Sequence, residues 1–339
     1  MAIEVVVAGL GGRGRDWVRE VRASPAYKLA GCADVDGNVR RSAAADLRIP
    51  RDQCFENLPD AIGKTECQAV IVATPPDLHT APCESALARG LAVLVEKPFA
   101  TRLHEAVRLV SLAEQHKAPL LVAQNYRYLR SFGAVKRLIA DGVLGRVGLV
   151  TCQYYRPPHD LAISTARLPH SVLWGIGVHH LDALRYALGS EVTSVAAESF
   201  TLADEGSPPG RSLRAILTFA DGARAIYSAS YESSGHEFFE RGQEFYTRLT
   251  GDRATLHVFQ RWLVFCEKGK LPRLLRRGSR KLTEEQILLR QLERALLHGE
   301  PAEVSGRDNL HTMAVLEACV RSATEQTWID PQALLHESQ

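Results

Sequence analysis

A doubly wound parallel α/β domain followed by an α+β domain is the fold this sequence predicts, and three observations carry it. Residues 3–8 (Ile-Glu-Val-Val-Val-Ala) are a short apolar run rich in β-branched side chains, the mark of a buried parallel strand. That run passes directly into Gly9-Leu10-Gly11-Gly12-Arg13-Gly14, and strand and helix patterns then alternate to about residue 124. Beyond residue 124 strands mostly follow one another without helices between them, which implies a large open, mainly antiparallel sheet. The predicted division is a Rossmann domain over 1–124 and an α+β domain over 125–339.

Taken in order, the glycine turn opens a helix over 15–23, and Pro25 punctuates its end. Residues 27–33 read as the second strand, tipped by Asp34. A G-x-G-x-x-G turn between strand and helix suits a pyrophosphate, because the N–H groups at the helix start and the macrodipole favour an anion while missing side chains allow close approach. Asp34 stands 20 residues past Gly14 (34 − 14), where a carboxylate reaches the adenosine ribose hydroxyls. Such a carboxylate accepts from a 2′-hydroxyl and repels a 2′-phosphate, so NAD is the expected cofactor. Arg40 and Arg41 stand close enough in sequence to keep NADP open.

A helix over 38–47, a short strand at 54–55 and a strand over 68–73 come next. The last of these ends in Thr74-Pro75-Pro76, with Asp77 expected to cap a helix over 78–89 that Gly90 closes. A strand over 92–95 terminates in Glu96-Lys97-Pro98, a helix follows over 103–115, and a strand over 120–123 leads into Gln124-Asn125-Tyr126-Arg127. In the second domain a connecting helix over 132–141 precedes strands at 147–155, 192–199, 214–219, 223–231, 244–250, 255–259 and 262–266. Asp221-Gly222 is a hairpin signal between two of them. Helices are expected at 178–188, 284–297 and 309–326.

The totals exclude several classes. A chain of 339 residues with a formal net charge of +2 gives no whole-chain argument for nucleic acid or membrane as partner. No apolar run approaches the length of a membrane span, and Val5 already lies inside a strand, leaving no room for a secretory leader. The seven cysteines are scattered and never spaced C-x-x-C, which fits reduced thiols of a cytoplasmic protein and no metal site. Residues 270–281 (Lys-Leu-Pro-Arg-Leu-Leu-Arg-Arg-Gly-Ser-Arg-Lys) carry basic side chains and no acid, and read as a solvated loop.

Four stretches together, the glycine turn, Thr74-Pro75-Pro76 with His79, Glu96-Lys97-Pro98 and Gly177-Val178-His179-His180-Leu181-Asp182, resemble the glucose–fructose oxidoreductase/inositol dehydrogenase (Gfo/Idh/MocA) family over nearly the whole chain. The resemblance implies an NAD(P)-dependent dehydrogenase moving hydride between nicotinamide and a carbon of a sugar, sugar derivative or cyclitol. It implies a small polyhydroxylated substrate and a homodimer or homotetramer formed through the outer face of the second sheet. By the same resemblance Lys97 contacts the reacting hydroxyl and the cofactor, and His179 is the general base or acid. Gly9, Gly11, Gly12, Arg13, Gly14, Asp34, Thr74, Pro75, Pro76, His79, Glu96, Lys97 and Asn125 are the expected cofactor contacts. Lys97, Arg127, Tyr154 and His179 are the expected substrate contacts. For Arg127 an interdomain salt bridge is an equal alternative, and His180 reads as packing. The family often carries D-x-G-x-H-x-x-D here, whereas this chain has Gly175 four residues before His179. Tyr154, His159, Asp160 and His170 are candidates for the missing polar group. A reductase of a non-sugar substrate and a cofactor-binding regulator without turnover are the rival readings.

Overall fold

The computed structural model describes residues 2–157, 165, 168–202, 210–233, 244–259, 262–275 and 281–339. Two compact units result, Met1–Asn125 with Leu282–Leu310, and Tyr126–Lys281 with His311–Gln339.

The first unit is built from β1 (Ile3–Ala8), α1 (Gly12–Ala23), β2 (Tyr27–Ala33), α2 (Gly37–Leu47), β3 (Cys54–Phe55), α3 (Leu58–Gly63), β4 (Ala69–Val72), α4 (Thr80–Leu87), β5 (Ala92–Val95), α5 (Leu103–Gln115) and β6 (Leu120–Val122). Its sheet runs β3-β2-β1-β4-β5-β6, and every pairing is parallel. The order reverses between β1 and β4, so a crevice for ligand opens at the carboxyl ends of those strands. Val5, Val6, Val7, Val70, Ile71, Val93 and Leu94 have no solvent exposure, which is why these runs are continuously apolar rather than alternating. α5 buries Leu103, Ala106, Val107, Leu109, Val110 and Ala113, one stripe at helical spacing.

In the second unit α6 (Arg130–Ala140) leads to β7 (Val147–Tyr155), and a π-helical turn (Leu173–Gly177) runs into α7 (Val178–Leu188). Then come β8 (Val192–Phe200), β9 (Ser212–Phe219), β10 (Arg224–Ser230), β11 (Glu244–Gly251), β12 (Ala254–Phe259), β13 (Leu263–Glu267) and β14 (Arg273–Leu275). The sheet order is β14-β13-β12-β11-β7-β10-β9-β8, antiparallel except for the parallel β7–β10 pair. Val150, Cys152 and Tyr154 of β7 and Ala225, Tyr227 and Ala229 of β10 alternate inward, with Leu149 and Ile226 on the opposite face.

The chain closes with α8 (Glu284–His298), α9 (Gly306–Glu325) and α10 (Pro331–Ser338). A capping box of Thr283 and Gln286 starts α8. Residues 282–310 count with the first unit, which corrects the single 125–339 division. The reason is tertiary, since the Tyr27 hydroxyl donates to the Leu289 carbonyl at 2.6 Å and Val122 N–H donates to the Val304 carbonyl at 2.8 Å. Elements beyond those expected include α3, α10 and β14. α3 is capped by the Asn57 side chain with Pro59 in its first turn, and α10 by Asp330 ahead of Pro331. β14 lies inside the basic stretch 270–281, so part of that stretch is strand; residues 276–280 of it lie outside the described residues.

Candidate active site

In the first unit, α1 begins at Gly12, three residues earlier than expected, with Gly11 as an extended N-cap that supplies no side-chain acceptor. Gly9 has φ +88°, and a Cβ there would lie 2.6 Å from the Ala73 carbonyl oxygen; a Cβ at Gly14 would lie 1.8 Å from the Gly9 carbonyl oxygen. The protein's own packing therefore demands those two glycines. Gly11 and Gly12 differ, because a Cβ at either meets nothing within 4 Å. The space beside them, at a helix start with no acid in its first turn, fits a pyrophosphate.

Asp34 Oδ2 accepts from Leu10 N–H at 2.7 Å and Oδ1 accepts from Asp36 N–H at 2.9 Å, which ties the tip of β2 to the glycine turn. Each oxygen keeps a second lone pair for a ribose hydroxyl. Arg40 donates to the Asp34 and Val35 carbonyls, and Arg41 donates to Asn38 Oδ1.

Two expected cofactor contacts prove to be each other's partners. Glu96 Oε1 accepts from Arg13 Nε at 2.9 Å and from Trp17 Nε1 at 2.8 Å, and Arg13 also reaches Glu285 at 3.2 Å. This buried carboxylate fastens α1 to the end of β5. His79 is likewise corrected. It has no exposure, with Nδ1 2.8 Å from the Pro98 carbonyl oxygen and Nε2 2.8 Å from the Thr74 carbonyl oxygen. It is a strap between the loops after β4 and β5, not a surface that a ligand touches. Burial lowers its pKa, and the two carbonyls oppose that shift. Thr74, Pro75 and Pro76 stop the strand and enter a short 3₁₀ turn (Pro76–Leu78), so α4 starts at Thr80 with no cap from Asp77.

Lys97 follows Glu96, and its bond to Pro98 is cis. Desolvation lowers the Lys97 pKa to about 8, Glu96 opposing and Arg13 adding to the fall. At the end of β6, Asn125 Oδ1 and both amide atoms of Gln124 are buried without a hydrogen-bond partner among the described residues. Orphaned amides at a strand's carboxyl end fit the polar edge of a bound dinucleotide. Gln124 was missed by sequence reasoning, although its place between strand and Asn125 was the available signal.

In the second unit, α7 carries His179, His180 and Asp182, all buried. Asp182 accepts from Arg127 Nε at 2.7 Å, from Arg127 Nη2 at 2.6 Å and from the Thr312 hydroxyl at 2.8 Å. Arg127 is therefore half of a buried fork-to-carboxylate pair rather than a substrate contact, and the pair lies within one unit rather than between domains. Tyr126, the preceding residue, stacks on His179 with ring centroids 4.0 Å apart and planes at 18°. Its phenol is pushed up to about 12 by burial. His180 Nδ1 lies 3.2 Å from the Tyr227 hydroxyl, among the rings of Tyr154, Tyr227 and Phe245, which is the packing role expected of it. Tyr154 is buried beside His180 and meets Tyr231 edge-on.

At Gly175 a Cβ would lie 2.3 Å from the Tyr231 hydroxyl and 3.2 Å from Thr165 Oγ1. His170 is not among the groups nearest that Cβ, and its Nδ1 lies 2.8 Å from Ser199 Oγ. His159 and Asp160 lie outside the described residues.

A glycine cradle at the switch point of a parallel sheet, with an acid at the tip of β2, defines a dinucleotide-binding Rossmann protein carrying a second, open-sheet domain. Residues 3–124 match the model described as an oxidoreductase family with an NAD-binding Rossmann fold, and residues 132–271 match the GFO/IDH/MocA C-terminal domain. The chain belongs to the Gfo/Idh/MocA family, and it is an oxidoreductase whose cofactor is NAD. Similar proteins include an inositol 2-dehydrogenase of Rhizobium meliloti, 27% identical over 97% of this chain and 99% of that one. A D-apiose dehydrogenase of Paraburkholderia graminis is 26% identical over 96% of this chain and 89% of its own. Among solved structures, an inositol dehydrogenase homologue from Azotobacter vinelandii, complexed with NADH and myo-inositol, superposes with TM-score 0.84 at 21% identity, covering 97% of this chain and 98% of its own.

Proposed function

We propose that this enzyme transfers hydride between nicotinamide and a hydroxyl-bearing carbon of a sugar, sugar derivative or cyclitol. The observation that carries the reading is Lys97, a desolvated amine at the carboxyl end of β5 in the same unit as the glycine cradle. Support for the substrate class comes from relatives named inositol 2-dehydrogenase and D-apiose dehydrogenase that match over nearly the full chain. Bound NAD supplies the hydride acceptor. In this reading the Lys97 ammonium stabilises the alkoxide that develops on the reacting oxygen. His179, held by the Tyr126 stack and by the Arg127–Asp182 pair one turn onward, takes the hydroxyl proton. Gly11 and Gly12 leave room for the pyrophosphate, and Asp34 favours NAD over NADP.

Further parts of the reading concern the protein's state. The outward face of the second sheet exposes Leu149, Ile216, Ile226 and Phe259, and an apolar sheet face of this kind favours a homodimer or homotetramer. Seven free cysteines favour a cytoplasmic setting, and among the described residues no helix is long and apolar enough to cross a membrane. Purified protein with NAD, offered myo-inositol, D-apiose and related polyols, tests the proposal through growth of the reduced-nicotinamide absorbance band. Absence of turnover on every polyol that binds would favour the non-catalytic regulator.

A further inference from the structure

We propose that the Tyr231 hydroxyl is a substrate-positioning group, filling the place that Gly175 leaves open one turn before His179. The proposal rests on the polyol-dehydrogenase reading above and names the residue that orients the substrate in it.

The geometry begins with the helix. Gly175 lies in the π-helical turn that runs without interruption into α7, and His179 follows four residues later. Residues three to four apart in helical backbone share a face. A group seated against Gly175 is therefore about one helical turn from His179 along the helix. The group seated there is Tyr231, whose Oη would be 2.3 Å and Cζ 3.2 Å from a Cβ at position 175. No side chain fits at 175 while that phenol is in place, so the glycine and the tyrosine form one feature.

Tyr231 reaches this point from the sheet. Tyr227 and Ala229 of β10 face inward, and Tyr231, next in that alternation, is only 5% exposed. Tyr154 pairs with Ala229 across β7 and β10 and meets the Tyr231 ring edge-on at 6.4 Å, while the Tyr231 N–H donates to the Arg211 carbonyl at 2.9 Å. The Arg211 bond fixes the backbone, the Tyr154 edge packs on the ring, and the hydroxyl is turned to the helix. Burial raises the phenol's pKa, which keeps the proton on it. A protonated phenol both donates and accepts, as a hydroxyl next to the reacting carbon requires, and brings no negative charge to the histidine. Packing alone would be met by phenylalanine, and the hydroxyl is the one atom that phenylalanine lacks.

Steady-state kinetics of Tyr231→Phe, with NAD and with myo-inositol and a panel of neutral polyols as probes, tests the assignment. The expected result is a loss of about 10- to 100-fold in kcat/KM for the polyol, with the KM for NAD and the melting temperature unchanged. Gly175→Ala tests the geometry separately. It should destabilise the wild type more than the Tyr231→Phe protein, because only the wild type has an oxygen at 2.3 Å from the new methyl group. Wild-type turnover with Tyr231→Phe equal to it would overturn the role of Tyr231 and leave the dehydrogenase reading standing. A wild type inactive on every polyol would overturn that reading and this inference with it. Equal cost of Gly175→Ala in both backgrounds would overturn the geometry.

Discussion

The two units place their functional groups by different means. In the first, the cradle is mostly backbone: Gly9 and Gly14 are fixed by carbonyl oxygens, and Asp34 holds an amide 24 residues away. In the second, the groups around His179 are side chains brought from distant strands and helices. Arg127 meets Asp182 across 55 residues, and Thr312 meets it across 130. Backbone sites tolerate change beside them and fail only where a Cβ intrudes, whereas a side-chain cluster depends on every member having its partner.

The sharpest way to break the comparison is the buried pair. Asp182→Ala or Arg127→Ala strands a buried charge, and the expected loss is about 3–5 kcal/mol of unfolding free energy. Denaturant titration measures it, and a loss below about 1 kcal/mol would make the pair ornamental. In the first unit no single ion-pair deletion should cost as much, since Arg13 is partly solvated in its contact with Glu96.

Lys97→Ala comes next, with an expected fall in kcat/KM of about 10²- to 10³-fold and little change in NAD affinity. With its pKa lowered to about 8, the Lys97 ammonium is present below that pH and lost above it. Activity that needs the charge should therefore decline as pH rises through about 8, and Lys97→Arg, if active, should carry no such limb. A wild-type profile flat across that range would remove the charge from the mechanism.

A smaller effect is expected at His79. Its folded pKa lies below the ordinary 6.5, so above that value the strap contributes in full. As pH falls below 6.5 the unfolded chain takes up a proton that the folded one resists, and stability declines. His79→Gln should cost about 1–3 kcal/mol at neutral pH and flatten that decline. An unaltered slope would assign the pH dependence elsewhere.

The smallest is at Asp34, where Asp34→Asn keeps most of the loop's hydrogen bonding and removes the charge. Relative affinity should move toward NADP by about tenfold, read by titrating both cofactors. If the wild type already binds NADP more tightly, Asp34 does not set the preference.

Much of the first unit was legible because its signals are local. A β-branched run, a glycine turn and an acid 20 residues on record the parallel sheet and its cradle within 34 residues. The helix over 103–115 was likewise readable from its apolar spacing, and the structure has it and the expected strand over 147–155 at those bounds. Sequence periodicity determines such elements because each is set by its own neighbours along the chain. What only the tertiary structure decided is the partner of each polar group. Arg127, Glu96 and His79 look like ligand contacts in sequence, and each is occupied by a residue that folding delivers. Tyr231 gave no signal at all, since its meaning arises at Gly175, 56 residues earlier. A buried polar atom must find its complement in space, and which atoms meet there is fixed by the register of strands and the crossing of helices.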